Sequence, residues 1–474
     1  MAEPRPGEPV ACVDFGSTFT KAVLVDVATG ELLATASHPT TLATDVLDGW
    51  DACREALTEQ DPRAAAAEVL ACSSAGGGLR IAVVGNEELV TAEAGRRVAL
   101  SSGGRVVHVG HDGLTQASFA ALEQSRPDVV LLVGGTDGGN AEVLEGNAGF
   151  LARGAWHGPV VVAGNVDSQD VVAALLERSG TPYVLADNVV PRIGVLAPGS
   201  ARAAIREMFL RHVIGGKHLS SRADFTAMVR GATPDVVLTA VELLARGLDA
   251  EHPGAGDVVV VDVGGATTDV HSVVEVDAED AGLARKVVAT LPVSRTVEGD
   301  LGMRWSAVPT VAEGVAAGIL TDGPRLRAAA ETRHADPAFL PTDPDEAYVD
   351  EQVATAAVGV ALRRHAGRQQ VVYGPDGRVV ERSGKDLREV DLLVGSGGVL
   401  RSNHPALAAR VLGSVTGEAA EGGWQLPRRP RTVVDHDYVL AAAGLLAPTR
   451  PLAAHALLAR LRPTSSAPGH SLTP

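Results

Sequence analysis

Aromatic side chains are scarce, at 3% of 474 residues. Large cores must therefore be built from Val, Leu and Ala, within a chain that is 45% hydrophobic. Cysteine is scarcer still: Cys12, Cys53 and Cys72 are the only three, and none stands in a C-x-x-C pair. An odd, sparse count points to a reducing compartment. It excludes a four-cysteine iron–sulfur site within one chain, though not one shared across a dimer. No apolar run reaches the ~18–20 residues that cross a bilayer. Met1–Glu8 is polar and proline-rich, unlike a signal peptide. The expectation is a soluble, cytoplasmic protein without membrane contact. Positive charge is also in deficit, with 41 Lys and Arg against 58 Asp and Glu, a net charge of −17. A phosphate polyanion is repelled by such a chain, which argues against nucleic acid as a partner. The densest basic stretch, Arg428, Arg429 and Arg431, is interrupted by Pro430 and reads as a solvated loop.

Several catalytic signatures are missing. A P-loop needs GxxxxGK[ST], but Gly216-Lys217 is followed by His218, and Arg211 stands where the first Gly belongs. GSGGVL at 395–400 lacks the last Gly of GxGxxG. A base-off cobalamin carrier needs D-x-H-x-x-G. His111 has Val109 two residues before it and Leu114 three after. GxSxG is absent as well. P-loop enzymes, Rossmann dehydrogenases, cobalamin carriers and α/β-hydrolases are therefore poor readings.

What is present is a strand–helix rhythm, in a chain long enough for two to four domains. Residues 1–9 read as a disordered lead. Strands at ACVDF, KAVLVDV and ELLATAS fill 10–37, and a helix follows at 44–60. The region 68–190 alternates strands (68–72, 80–84, 105–109, 128–133, 159–163, 182–186) with helices (87–100, 113–124, 140–153, 168–179), the pattern of a covered parallel sheet. Residues 191–255 form a mostly helical connection, with a helix start at Thr233-Pro234-Asp235. A second unit, 256–434, opens with VVVVDV, TDVHSVVEV and RKVVATLP and echoes the first. Helices dominate 297–366, and a hairpin turns at Pro375-Asp376-Gly377. The segment 435–447 returns to complete a first half at 10–67, and 448–474 reads as a mobile tail.

Three stretches carry chemistry. VDFGSTFTKAVLVD at 13–26 and VVDVGGATTDVHSV at 260–273 share a design: an apolar strand ends in Asp, a Gly turn with Ser or Thr follows, and a second strand leaves. Such a turn presents amides and hydroxyls to a phosphate, with an Asp beside them to hold a hydrated cation. Gly16, Ser17 and Thr18 would serve one side; Gly264, Gly265, Thr267 and Thr268 the other. Asp14 and Asp262 are the candidate metal and catalytic carboxylates; the plain alternative is that each caps its own turn. Lys21 faces either solvent or a phosphate, and Asp269 is a candidate outer partner. In the third stretch, DLLVGSGGVLRSN at 391–403, Gly395, Gly397 and Gly398 permit close approach of a flat ring. Glu298 and Asp300, in TVEGDLG at 296–302, read on their own as acids that stabilise a helix N-terminus. LLVGGTDGGN at 131–140 either binds an anion or is a tight turn at a domain interface; the second reading is preferred.

This order resembles the actin, Hsp70 and sugar-kinase superfamily, where the hairpins are the two phosphate motifs and the Gly-rich segment the adenosine motif. The helix VLAAAGLLA at 439–447 matches its second connecting helix. The resemblance implies two ribonuclease-H-like halves closing on ATP and Mg²⁺, with an inserted α/β region between the hairpins. The placement of Glu298 and Asp300 among glycines resembles that of acidic residues near the phosphates of related ATPases, which implies instead that they order a cation or water.

Across roughly residues 10–447 the chain is similar to a narrower family. LACSSAGGGLRIAVVG (70–85), VTAEAGRRVAL (90–100), LLVGGTDGGN (131–140), DNVVPRIGVLAP (187–198) and RTVEGDLGMR (295–304) are its marks. It is the MutL/GlmL family of accessory proteins encoded beside adenosylcobalamin-dependent glutamate mutase, distinct from the DNA mismatch-repair protein of similar name. The resemblance implies an ATPase that reactivates or chaperones a cobalamin-dependent mutase, with the mutase subunits as partners and self-association left open. Glutamate, ornithine and other carbon-skeleton or amino mutases all remain candidates. The rival is a small-molecule kinase with the same cleft, for which no acceptor pocket can be named.

Overall fold

The same strand pattern is laid down twice. In the computed structural model, which describes residues 8–154, 156–275, 291–374, 377–401, 405–417 and 421–462, the Val- and Ala-rich opening forms β1 (Pro9–Phe15), β2 (Phe19–Asp26) and β3 (Leu32–Pro39). These make an antiparallel meander. Its second turn is set locally: Asp26 Oδ1 accepts from the Ala28 amide at 2.9 Å, and Gly30 takes a φ of +74°. β4 (Glu68–Ser73) then lies parallel to β1. From there the chain leaves the sheet and builds β5 (Leu79–Val84), β6 (Gly104–Gly110), β7 (Val129–Leu132), β8 (Val160–Val162) and β9 (Tyr183–Leu185). It returns as β10 (Val229–Ala232), parallel to β4. The first sheet therefore has the order β10-β4-β1-β2-β3.

The second half repeats this. β11 (Val258–Val263), β12 (Thr268–Val273) and β13 (Val293–Glu298) form the meander. A hairpin of β14 (Arg368–Gly374) and β15 (Gly377–Ser383) stands apart, its expected Pro375-Asp376 turn lying outside the described residues. β16 (Leu392–Ser396) and β17 (Arg431–Val434) run parallel to β11, giving β13-β12-β11-β16-β17. Three antiparallel strands with two parallel ones beyond the first is the ribonuclease-H-like topology. The chain is thus an α/β protein of two such halves with an inserted α/β region.

The inserted sheet is all parallel, in the order β6-β5-β7-β8-β9, a doubly wound arrangement. One face packs Phe119, Leu122, Leu144, Leu151 and Val172 into a core of its own. The other carries Ile81, Val83, Leu131 and Val133 into the core of the first half, with Phe15, Leu47 and Trp50. Two helices lie between the halves, Thr233–Arg246 and Val439–Leu446. Val236, Val241, Leu440 and Ala443 join Val10 and Cys12 on one side to Val258 and Val260 on the other. The helices cross at Gly444, where a Cβ would meet the Val236 carbonyl at 2.0 Å. No described helix is long and apolar enough to cross a membrane.

Four expectations need correction. Strand pairing carries the first sheet past residue 67, because β4 and β10 belong to it. β10 went unread: Val-Arg-Gly-Ala is too short and too polar for a strand pattern. The third strand of the second half is Val293–Glu298, later than RKVVATLP at 285–292, of which 285–290 lie outside the described residues. Pro292 has no amide to give a ladder, and pairing with β12 begins just after it. Finally, 448–462 is not a mobile tail. Pro451 opens a helix to Leu458 that buries Ala454, Leu457 and Leu458 in the shared core.

Candidate functional site

The first two motifs form matched hairpins. In β1–β2, Asp14 stands opposite Lys21; in β11–β12, Asp262 stands opposite Asp269. Each turn closes alike: the Gly16 amide donates to the Phe19 carbonyl at 3.1 Å, and the Gly264 amide to the Thr267 carbonyl at 2.9 Å. Both positions require glycine for the same reason. A Cβ would meet those carbonyl oxygens at 2.7 and 2.9 Å.

The tips face each other across the halves. A Cβ on Gly265 would stand 3.3 Å from Thr18 Oγ1. That hydroxyl is buried and has no hydrogen-bond partner, which is costly unless something else satisfies it. Lys21 Nζ lies 3.6 Å from Asp14 Oδ2 and 4.6 Å from the centre of the Tyr438 ring. Burial lowers the Lys21 pKa, but Asp14, Tyr438 and Asp262 outweigh it and the net shift is upward, so the amine is charged. Burial pushes the Asp262 carboxyl up, helped by Asp269 and Asp14 and opposed by Lys21 and Ser396. Asp14 Oδ1 accepts from the Thr233 hydroxyl at 2.6 Å and from the Cys72 thiol at 3.6 Å. Burial drives that thiol well above its usual range, so it remains protonated.

Other predicted residues are placed differently. Thr268 is fully buried, and its hydroxyl donates to the Leu301 carbonyl at 3.0 Å, inside the second half. Glu298 and Asp300 are bound together by Arg364, which donates to both at 2.8 Å and reaches Glu313 at 2.8 Å. Burial raises the Glu298 pKa against the pull of Arg364; the Arg364 hydrogen bonds lower that of Asp300. The segment does meet the hairpin, since the Met303 and Arg304 amides donate to the Gly264 and Gly265 carbonyls at 3.0 and 2.8 Å. In the Gly-rich segment, Gly395 backs onto Leu412 and Leu400, and Gly397 onto the Val263 carbonyl, where a Cβ would come within 2.2 Å. Gly398 faces open space. Ser17 is exposed at the first tip. The 131–140 loop is a turn closed by the Gly139 amide on the Thr136 carbonyl at 2.9 Å and tied from outside by Asn188, whose Nδ2 donates to the Gly135 carbonyl at 2.9 Å and to Asp137 Oδ1 at 2.8 Å.

Sequence reading missed Tyr438, Arg401, Ser396, Thr233 and Asp435. Tyr438 takes a left-handed φ of +56° just before its helix. Its ring is shared by Lys21 of the first half and Arg401 of the second, whose guanidinium carbon lies 3.2 Å from the ring centre. Asp435 caps that helix, accepting from the Val439 amide at 2.9 Å and the Leu440 amide at 3.2 Å. A sequence signal existed for the cap alone, an Asp four residues before an apolar run. Among the described residues no three His, Cys, Asp or Glu side chains converge on a metal position. Mg²⁺ does not need them, because it keeps waters and takes one or two carboxylates with phosphate oxygens. Asp14 and Asp262 fit that demand, and the orphaned Thr18 hydroxyl fits a phosphate acceptor.

The MutL protein family model matches this chain over residues 10–461. The chain belongs to the MutL protein family. Protein MutL of Clostridium tetanomorphum is 36% identical to this MutL-family chain over 446 residues, covering 93% of this chain and 96% of that one. Among solved structures, the ethanolamine utilization protein EutJ from Carboxydothermus hydrogenoformans is 13% identical, with 96% of this chain and 91% of that one covered at a TM-score of 0.29. The activator of the 2-hydroxyisocaproyl-CoA dehydratase from Clostridium difficile, with bound ADPNP, is 10% identical, with coverage of 94% and 95% and a TM-score of 0.31.

Proposed function

We propose that the chain is an ATP-binding accessory protein that reactivates an adenosylcobalamin-dependent mutase, hydrolysing ATP between its two halves. The observation that carries the nucleotide part is the facing of the two matched hairpins, with Thr18 against Gly265 and the Asp14–Lys21 pair beside Asp262. Membership of the MutL family supports the mutase part.

In this reading Gly16, Ser17, Thr18, Gly264, Gly265 and Thr267 hold phosphates, and Lys21 adds a positive charge. Asp14 and Asp262 hold hydrated Mg²⁺ or orient water, and Gly398 lies beside the base or ribose. Bound ATP–Mg²⁺ supplies phosphoanhydride hydrolysis, a reaction that depends on positioning and charge rather than on covalent help. The chain's own share is orientation: Thr233 and Cys72 fix Asp14, and Ser396 holds Asp262. With Thr18 Oγ1 only 3.3 Å from where a Cβ on Gly265 would stand, the tips part in this reading to admit a polyphosphate. Opening then moves one half against the other, the motion that would loosen a trapped cofactor in a partner. The inserted region supplies the partner surface in this reading.

The test uses a mutase inactivated with cyanocobalamin. Recovery of activity on adding adenosylcobalamin, dependent on this chain and on ATP, is the expected result. Phosphorylation of a small metabolite with no effect on any mutase would transfer the assignment to a kinase.

A further inference from the structure

The turn that ends the first helix of the inserted region touches both halves at once. That helix is Glu93–Ser101, and β6 starts at Gly104. On the side of the first half, Gly103, at φ +79°, is packed so closely on the helix Thr233–Arg246 that a Cβ would meet the Asp235 amide at 2.7 Å. Asp235 is buried and is held by Arg206 at 2.5 Å. Two residues earlier, Thr233 donates to Asp14. On the side of the second half, Arg295 of β13 inserts a buried guanidinium. Its Nη1 donates to the Leu100 and Gly104 carbonyls at 3.3 and 3.4 Å, and its Nη2 to Asp269 Oδ1 at 2.8 Å. Asp269 is the ladder partner of Asp262. The Nε of Arg295 is buried without a partner. Its ladder neighbour His271 is also buried, with Nδ1 unpartnered, and is held neutral by burial and by Arg295 itself.

A chain of contacts therefore runs from Asp14 through Thr233 and Asp235 to Gly103, across the turn to Arg295, and on through Asp269 to Asp262. Its two sides differ in kind. The inserted region is rooted in the first half by both of its chain ends and by a shared core. The second half reaches the turn's carbonyls by two long hydrogen bonds from Arg295, while β13 packs along the helix Glu93–Ser101 and Gly299 lies against Arg105, whose guanidinium a Cβ there would meet at 3.2 Å. One of those carbonyls, Leu100 O, lies in the last turn of a helix, where carbonyls attract a cation, and also accepts from the Gly103 amide at 3.2 Å.

We propose that Arg295 is a positioning residue that couples the second hairpin to the inserted region: when the halves part, it releases the 100–104 turn, and the inserted region reports the state of the cleft. The proposal deepens the nucleotide reading and rests on it for the ligand, though not for the coupling itself. Two variants separate the parts. Arg295→Met keeps the side chain's length without its donors. Arg295→Lys keeps the charge for Asp269 but cannot serve both carbonyls, and it decides the matter if the Met variant fails to fold.

The readout is native-state hydrogen exchange of the full chain at low denaturant, with no ligand. In the wild type, amides of 98–105 and of 262–270 should open as one unit, with the same denaturant dependence. In either variant the 98–105 amides should exchange at least tenfold faster, while 262–270 keeps its own dependence. Independent opening of the two segments in the wild type, or joint opening in both variants, overturns the proposal. Calorimetry with ATP–Mg²⁺ on the same samples reads the nucleotide proposal separately. A wild type that binds ATP without a change in exchange at 98–105 also overturns the coupling. A wild type that does not bind ATP overturns only the nucleotide reading and leaves the ligand-free exchange to decide this one.

Discussion

Replacing Asp14 by Asn removes one charge and almost no volume. Oδ1 survives as an acceptor for Thr233 and Cys72, so the strand end keeps its hydrogen bonds. What is lost is the carboxylate 3.6 Å from Lys21 Nζ. At an effective dielectric of about 20 such a pair is worth roughly 4–5 kcal/mol before solvation. Lys21 retains Asp262 and the Tyr438 ring, and its side chain is 23% exposed. After that screening the stability cost should be about 1–3 kcal/mol, a few degrees in Tm for a chain of this size. Catalysis should suffer more. A contact to the cation or the attacking water is worth a few kcal/mol in the transition state, and each ~1.4 kcal/mol is tenfold in rate. Asp14→Asn and Asp262→Asn should therefore cut ATP turnover by about tenfold or more, measured as phosphate release, with the melting transition nearly in place. Turnover unchanged in both variants, or unfolding of both, would show that the carboxylates are turn caps and refute the reasoning.

Burial pushes the Asp435 carboxyl up to about 6, against the pull of the Val439 and Leu440 amides. The folded state thus keeps a proton that an unfolded Asp, with a pKa of about 3.9, gives up. The stability from this residue is full below about pH 4 and is lost as pH rises through about 6. Asp435→Asn retains a capping oxygen and should flatten that limb in urea titrations, gaining up to about 3 kcal/mol at pH 7; a steeper limb would contradict it. Glu298→Gln should change turnover by less than about threefold. Arg364→Met, which leaves Glu298, Asp300 and Glu313 facing one another, should destabilise by about 1–3 kcal/mol. A tenfold loss of turnover in Glu298→Gln, with unchanged melting, would support its candidate catalytic role. Gly265→Val should weaken ATP binding at least tenfold in calorimetry, because its Cβ starts 3.3 Å from Thr18 Oγ1; unchanged affinity would place the phosphates elsewhere.

The hairpins were legible because local rules fix them: apolar alternation, an Asp at the strand end and glycines where a Cβ would strike a carbonyl. The central strands β5, β7 and β8 were legible for a related reason, since strands buried on both faces read as short apolar runs. What was not legible depends on distant partners. Nothing near Glu298 announces that Arg364, 66 residues on, ties it to Asp300. Thr268 matches its neighbour Thr267 in type, yet strand alternation turns its hydroxyl inward to Leu301. Tyr438 and Arg401 meet Lys21 only because helix Val439–Leu446 returns between the halves. β10 carries too little apolar pattern to be read, although its position in the sheet is what brings Thr233 to Asp14.

The most direct test is calorimetric titration of the wild-type chain with ATP in Mg²⁺, paired with the same titration of Asp14→Asn. The account predicts saturable one-site binding by the wild type, at least tenfold weakened in the variant, and a melting transition that rises with ATP concentration by mass action. No heat and no rise in melting temperature at millimolar ATP would contradict it.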